Sequence, residues 1–202
     1  MKIEDVKVAK NKMKFTLKNA NYAMANAIRR TLMSEVPAMA IDEIDFYENR
    51  SSMFDEYLGH RMGLIPLTTD LKSYTPADEC CGGNCGKCSV ILTLDAQGPS
   101  TVYSKDLKSK DKDVKPFYDN IPIIKLGEGQ AIRLEAKAVL GRGKQHAKFQ
   151  PCTCSYNSQK TDETKFDFEI ESYGNHEPEV LLKAALKIIE AKIDELEDQI
   201  KK

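Results

Sequence analysis

Residues 26–66 read NAIRRTLMSEVPAMAIDEIDFYENRSSMFDEYLGHRMGLIP, and the punctuation of this stretch divides it into four pieces. Asn19 or Asn21 supplies a cap for a helix in which Ala23, Ala27, Ile28 and Leu32 recur on one face, and Pro37 bars its continuation. Met39 to Tyr47 resumes an extended pattern, with Ile44 and Phe46 on one side. A shorter helix is predicted over Asp55 to Met62, lined on one face by Phe54, Leu58 and Met62. Gly63 is suited to close it in the left-handed conformation, and Pro66 fixes the exit. The stretch contains no set of groups that could work together in catalysis and reads as a surface built to be gripped.

Upstream, Ile3 to Val8 and Met13 to Leu17 are short segments joined at Lys10-Asn11-Lys12, as in a β-hairpin. Downstream, Ser89 to Leu94, Thr101 to Ser104, Ile121 to Leu126 and Ala131 to Leu140 read as strands, so the middle of the chain is mostly β. Lys105 to Lys115 alternates Lys and Asp and is expected to be a solvated loop. Phe166, Phe168 and Ile170 alternate with charged residues, as on a strand with one buried face.

The last helix starts near Glu177-Pro178, the proline suiting a first turn. Its apolar residues Leu182, Leu186, Ile189, Ile193, Leu196 and Ile200 repeat at the spacing of helices packed side by side. Such a helix is about 36 Å long, more than a small domain needs, so part of the seam is expected to meet another chain. The other reading packs it wholly on its own sheet.

With 202 residues the chain can bury a sizeable core as one large or two small units. Thirty basic against 31 acidic residues leave a formal charge of -1, so no global field draws it to nucleic acid or membrane. No apolar run is long enough to span a bilayer, and Met1 to Asp5 lacks the apolar core of a signal peptide, so a soluble, intracellular protein is expected.

The six cysteines are clustered: Cys80, Cys81, Cys85 and Cys88, then Cys152 and Cys154. That clustering favours metal or redox chemistry over a secreted disulfide framework. Cys81-Gly82-Gly83-Asn84-Cys85-Gly86-Lys87-Cys88 resembles a zinc loop, because glycines let thiolates converge on one ion. Three ligands are easily seen. The fourth is either Cys80, awkwardly adjacent to Cys81, or one of Cys152 and Cys154, and an empty reduced loop is the plain alternative. No four-cysteine ferredoxin run is present, so an iron-sulfur cluster is not expected.

His60, His146 and His176 lie in unrelated segments. His60 and Arg61, at a helix end, suit its terminal carbonyls. Asp42, Glu43, Asp45 and Glu48 alternate faces on an extended segment and read as a solvated edge. Gly141 to Lys148 is a basic, turn-rich connector without a Walker pattern. Arg29 and Arg30 splay about 100° apart on their helix, leaving at least one for a bidentate contact with a partner carboxylate.

Asn26 to Arg30, Ala40, Asn49, Ser51, Asp55-Glu56, Leu58-Gly59 and Arg61 to Pro66 together resemble the D-type subunit family of archaeal DNA-directed RNA polymerase. The third-largest subunit of eukaryotic RNA polymerase II belongs to that family, and the bacterial alpha subunit is a more distant relative. The resemblance continues through Cys88 to Leu94, Val102 to Leu107 and Gly141 to Lys148, nearly the whole chain.

The resemblance implies an α+β fold: a discontinuous dimerisation domain, residues 1–38 plus 161–202, made of a sheet with two long helices, and an inserted, mostly β domain, 39–160. It implies a non-catalytic assembly subunit of a DNA-directed RNA polymerase, cytoplasmic, that pairs with the smaller homologous subunit L. With small subunits N and P the pair forms the platform for the two large catalytic subunits, and it meets DNA only through the complex. By matched position, Arg29 and Arg30 look like contacts to a large subunit. The pairing surface for subunit L includes Leu182, Leu186, Ile189, Ile193, Leu196 and Ile200.

At the candidate zinc residues Cys80, Cys81, Cys85 and Cys88 the chain departs from the family: the first eukaryotic zinc ligand corresponds to Glu79, with Cys80 one place later, so the resemblance does not itself carry zinc over. Some archaeal relatives carry an iron-sulfur insertion after the segment matching His146 to Pro151, for which there is no room between Cys154 and Phe166. A stand-alone metal or redox protein built on the cysteine loop and a homodimer joined along the last helix are the rival readings.

Overall fold

The computed structural model describes every residue except Asn84, Lys160, Thr161 and Lys202. In chain order the elements are β1 (Lys2–Ala9), β2 (Lys12–Lys18), α1 (Tyr22–Ser34), β3 (Pro37–Asn49), α2 (Asp55–Gly63), β4 (Ser89–Gln97), β5 (Ser100–Tyr103), β6 (Lys108–Ser109), β7 (Pro122–Leu126), β8 (Ala131–Arg142), β9 (Cys152–Gln159), β10 (Asp162–Ser172) and α3 (Pro178–Ile200). The fold is mixed α+β, and its sheets are mostly antiparallel. Contacts divide it into a terminal unit, Met1–Val36 with Arg142–Lys202, and a central unit, Pro37–Gly141.

The terminal unit is a four-stranded sheet in the order β1-β2-β10-β9. Alternation decides its buried face: Met13, Phe15 and Leu17 on β2 stand opposite Ile170, Phe168 and Phe166 on β10, and all six are buried. Phe15 stacks on Phe168 with centroids 5.0 Å apart, and Tyr156 of β9 reaches both Phe166 and Phe168. Each fully buried aromatic or aliphatic side chain here is worth about 1.5–3 kcal/mol against exposure.

Helix α1 begins at Asn21, whose side chain accepts a hydrogen bond from Met24 N at 2.8 Å. It buries Ala25, Ile28, Thr31 and Leu32. Ala23 and Ala27, expected on that face, are exposed, because the true stripe runs 25, 28, 32 at spacings of three and four. Helix α3 starts with Pro178 in its first turn and buries Leu181, Leu182 and Ala185; from Glu190 onward every described position is exposed.

The central unit holds a sheet in the order β3-β8-β4-β6 and a two-stranded ribbon of β5 and β7. Leu58 and Met62 of α2 are buried in one core with Met39, Ile41, Leu92, Leu94, Ile132 and Leu134. Phe54, expected on that apolar face, caps the helix instead and is 74% exposed. Gly63 lies inside α2, and the cap is Leu64 at φ -89°, so no left-handed glycine closes the helix. The turn closes through Leu64 N to Arg61 O and Ile65 N to Met62 O.

The predicted solvated loop, Lys105 to Lys115, is anchored. Lys108 and Ser109 pair with Thr93 and Leu92, Leu107 and Val114 are buried, and Tyr74 donates to Asp111. Two apolar residues in a charged run suffice to pin it to a core.

The expected return from the insert, 160/161, falls on Lys160 and Thr161, outside the described residues. The strand before them already belongs to the terminal unit: β9 pairs with β10 from Cys152↔Ser172 to Ser158↔Phe166. The chain therefore leaves the central unit at Gly141. Gly143 follows at once, where a Cβ would stand 2.2 Å from the Met33 carbonyl oxygen. Only glycine allows that approach.

Candidate partner interface and metal centre

In the terminal unit, α1 and α3 leave the helix-facing side of the edge strand β1 uncovered. Ile3 stands opposite Leu17 in the register yet is 37% exposed. An apolar groove results, walled by Ile3, Phe15 and Leu17 from the hairpin, Met24 and Ile28 from α1, and Leu186, Ile189 and Ile193 from α3.

The predicted seam divides along its length. Leu182 is 6% exposed, packing in the unit's own core at the floor of the groove, whereas Leu186 is 39%, Ile193 47%, Leu196 59% and Ile200 84% exposed. Ile189 is half-buried against the core. Leu181 and Ala185, which carry the internal packing, fall outside the heptad spacing; their shift to the next helical face was the available signal. The β1 wall was legible only as a hairpin, because nothing in Ile3 to Val8 says that no helix covers it.

Arg29 turns along its own helix, with Nη2 3.0 Å and Nε 3.3 Å from Asn26 Oδ1. Arg30 is exposed on the next face. Arg61 donates not to helix-end carbonyls but across to β7, from Nη2 to Pro122 O at 2.7 Å and from Nε to Ile123 O at 3.1 Å. It binds α2 to the ribbon. His60 is exposed on α2, His146 accepts from Lys148 N at 3.1 Å, and His176 is buried in the terminal unit. Glu43, on the acidic stretch of β3, pairs with Lys137 at 2.9 Å.

The second site lies in the central unit. The sulfurs of Cys80, Cys81, Cys85 and Cys88 all lie within 4.8 Å of one another. Cys80 to Cys85 is 3.6 Å, and Cys81 to Cys88 and Cys85 to Cys88 are each 3.5 Å. Four thiolates about 2.3 Å from one tetrahedral ion stand about 3.8 Å apart, so the donor set and its spacing fit zinc.

The adjacent pair converges because the backbone turns sharply around it. Cys80 ends a one-turn 3-10 helix, Ala77–Glu79, and Gly82 N returns to Ala77 O at 2.9 Å. Gly82 and Gly83 then take φ values of 71° and 90°, which side chains on L-residues resist. Cys88 is buried, which opposes its ionisation, but hydrogen bonds with the Cys85 backbone and the neighbouring thiols prevail and bring it down to about 6. Cys80 is pushed up to about 12, first by its bond with Cys85.

Cys152 and Cys154 lie in the terminal unit, whereas the four-sulfur cluster belongs to the central unit's loop. Both are buried on β9 in the core of the terminal unit, with Cys152 Sγ 3.7 Å from Leu32 O, and burial pushes each up to about 12. They behave as small apolar residues.

Among the described residues, no helix is long and apolar enough to cross a membrane. The family described as "RNA polymerase Rpb3/RpoA insert domain" matches residues 41–175. The DNA-directed RNA polymerase subunit Rpo3 of Pyrococcus furiosus is 47% identical over 151 residues, 75% of this chain and 56% of that protein. The Archaeoglobus fulgidus protein of the same name is 48% identical over 148 residues, 72% and 56%. The Methanocaldococcus jannaschii one is 43% identical over 186 residues, 92% and 88%. The chain thus spans little more than half the length of the first two relatives and most of the third.

Proposed function

The chain belongs to the family of DNA-directed RNA polymerase subunit Rpo3, the D-type subunit of the archaeal enzyme, and from that premise we propose that it is a non-catalytic assembly subunit of such a polymerase. Its terminal unit pairs with the smaller homologous subunit L. The pair, with subunits N and P, forms the platform on which the large catalytic subunits assemble in the cytoplasm, and DNA is met only through the complex.

The observation that carries this reading is the groove between β1, α1 and α3, continued by Leu196 and Ile200 on a helix whose last turns are exposed all round. Contiguous apolar surface of this kind marks a protein interface. Fully burying an exposed side chain yields on the order of 1.5–3 kcal/mol, so covering Ile200 gains most of that and covering the half-covered Leu186, Ile193 and Leu196 gains about half each. Arg30, exposed, and Arg29, held in place by Asn26, are suited to carboxylates of a large subunit.

The four cysteines are suited to one zinc ion. A site closed by four protein thiolates keeps no position for water or substrate, so its contribution is to hold residues 80–88 folded. That argues for a structural metal in an assembly subunit and against a stand-alone redox protein.

The test is to size the full chain alone and mixed with subunit L. A stable 1:1 complex that then recruits the large subunits is expected. A homodimer that ignores subunit L overturns the proposal.

A further inference from the structure

Lys2, paired with Glu4, stands on the β1 wall of the groove, and the α3 wall has a charged flank of its own that faces out. At about 100° per residue, Lys192 and Glu190 lie on opposite sides of the Ile189–Ile193 seam. Lys192 turns inward to its own unit, its Nζ 3.3 Å from Glu35 Oε1 at the end of α1. Glu190 and Asp194 turn the other way and line the groove beside Leu186, Ile189 and Ile193. Glu197 continues the stripe at the next step of three, and all three carboxylates are exposed. Between Glu190 and Asp198 the helix has five carboxylates and one cation, Lys192, which Glu35 engages; just beyond, Lys201 Nζ stands 3.9 Å from both Glu197 and Asp198.

We propose that Glu190, Asp194 and Glu197 select the occupant of the groove: a helix with an apolar seam flanked by Lys or Arg, and not a second copy of this chain. A second copy seated in parallel through its own α3 brings its own Glu190 and Asp194 against these. Like charges at that spacing repel, whereas a basic flank gains charge-assisted contacts and is steered to the groove. The apolar seam supplies affinity for either occupant; the carboxylates decide between them. This inference rests on the reading of the groove as the pairing surface for subunit L.

The test uses the full chain, subunit L, and two variants measured for binding at 50 mM and 500 mM salt, with self-association followed by sedimentation. The triple variant Glu190→Lys, Asp194→Lys, Glu197→Lys should bind subunit L about tenfold more weakly or worse at low salt, and the difference should shrink at high salt because exposed charges are screened. Circular dichroism of the variant should be unchanged, since none of the three is buried. Equal affinity at low salt, with the fold intact, overturns the inference.

Ile193→Asp separates the two levels. If it abolishes binding while the triple charge variant does not, the seam is the interface and only the charge selection fails. If Ile193→Asp binds subunit L as tightly as the unaltered chain, the pairing surface lies elsewhere and both fall.

Discussion

Lys192 Nζ lies 3.3 Å from Glu35 Oε1, joining the middle of α3 to the residue that caps α1. Lys144 reaches the other oxygen of the same carboxylate at 3.2 Å. One glutamate therefore gathers three separate segments of the terminal unit. Burial pushes its carboxyl up, but the two ammonium groups prevail and hold it below the ordinary 4.5.

Glu35→Gln should therefore lower stability at pH 7 by about 0.5–1 kcal/mol, since both lysines are half exposed and such pairs are weak. The folded-state pKa is depressed, so the contribution is present above the unfolded value and is lost as pH falls through the folded one. Urea unfolding of both proteins should show the gap at pH 7 and its closure as pH falls below the ordinary 4.5 and through the lower folded-state value.

Leu182 and Leu196 belong to one heptad pattern but should respond oppositely. Leu182→Ala empties a core position and should cost about 2–4 kcal/mol in the isolated chain. Leu196→Ala, at 59% exposure, should leave the isolated chain within about 0.5 kcal/mol of the original. Leu186→Asp and Ile193→Asp should weaken pairing with subunit L at least tenfold, read by calorimetry, because each puts a carboxylate into an apolar seam.

Metal analysis of protein purified without chelator should find one zinc per chain. Cys80→Ser should lose it as completely as Cys85→Ser, because all four sulfurs share one cluster. Cys152→Ser should retain it. Retention by Cys80→Ser would assign the fourth ligand elsewhere.

Gly143→Ala should destabilise the terminal unit by about 1–3 kcal/mol, since its methyl group would stand 2.2 Å from a backbone oxygen of α1. Gly59→Ala is the contrast. It sits in α2 with Ile44 Cδ1 4.0 Å away, and should gain about 0.5–1 kcal/mol of helix propensity in thermal unfolding.

Periodicity disclosed what depends on neighbours in the chain and missed what depends on distant ones. Phe166, Phe168 and Ile170 announced β10 because strand alternation is local, and Pro178 announced the start of α3 for the same reason. The face of α1 was misjudged at Ala23 and Ala27 because alanine is equally at home buried or exposed; only the core assembled from distant strands and α3 selects Ala25. Lys105 to Lys115 looked solvated because its composition outweighed Leu107 and Val114, whose burial depends on strands far away in sequence. The boundary at Gly141 was hidden because β8 runs across it unbroken. Of the two sites, the four thiols were visible but the convergence of Cys80 with Cys81 was not, since it needs the reversal at Gly82 and Gly83. The seam was visible, and the depth at which its first residue sinks was not.

The pairing of β2 with β10 joins residues 12–17 to 166–171, and this long reach orders events in time. As the chain is synthesised, the first hairpin and α1 are made early, but one side of their sheet stays bare until some 150 further residues have followed, on the order of ten seconds at the usual pace of translation. The groove needs Ile193 as well as Ile3, so it closes only after the central unit has been made. A polypeptide broken off anywhere before α3 offers no finished seat for a partner. If the groove seats a partner as proposed, the discontinuous layout becomes an inspection step that passes only chains read through both units.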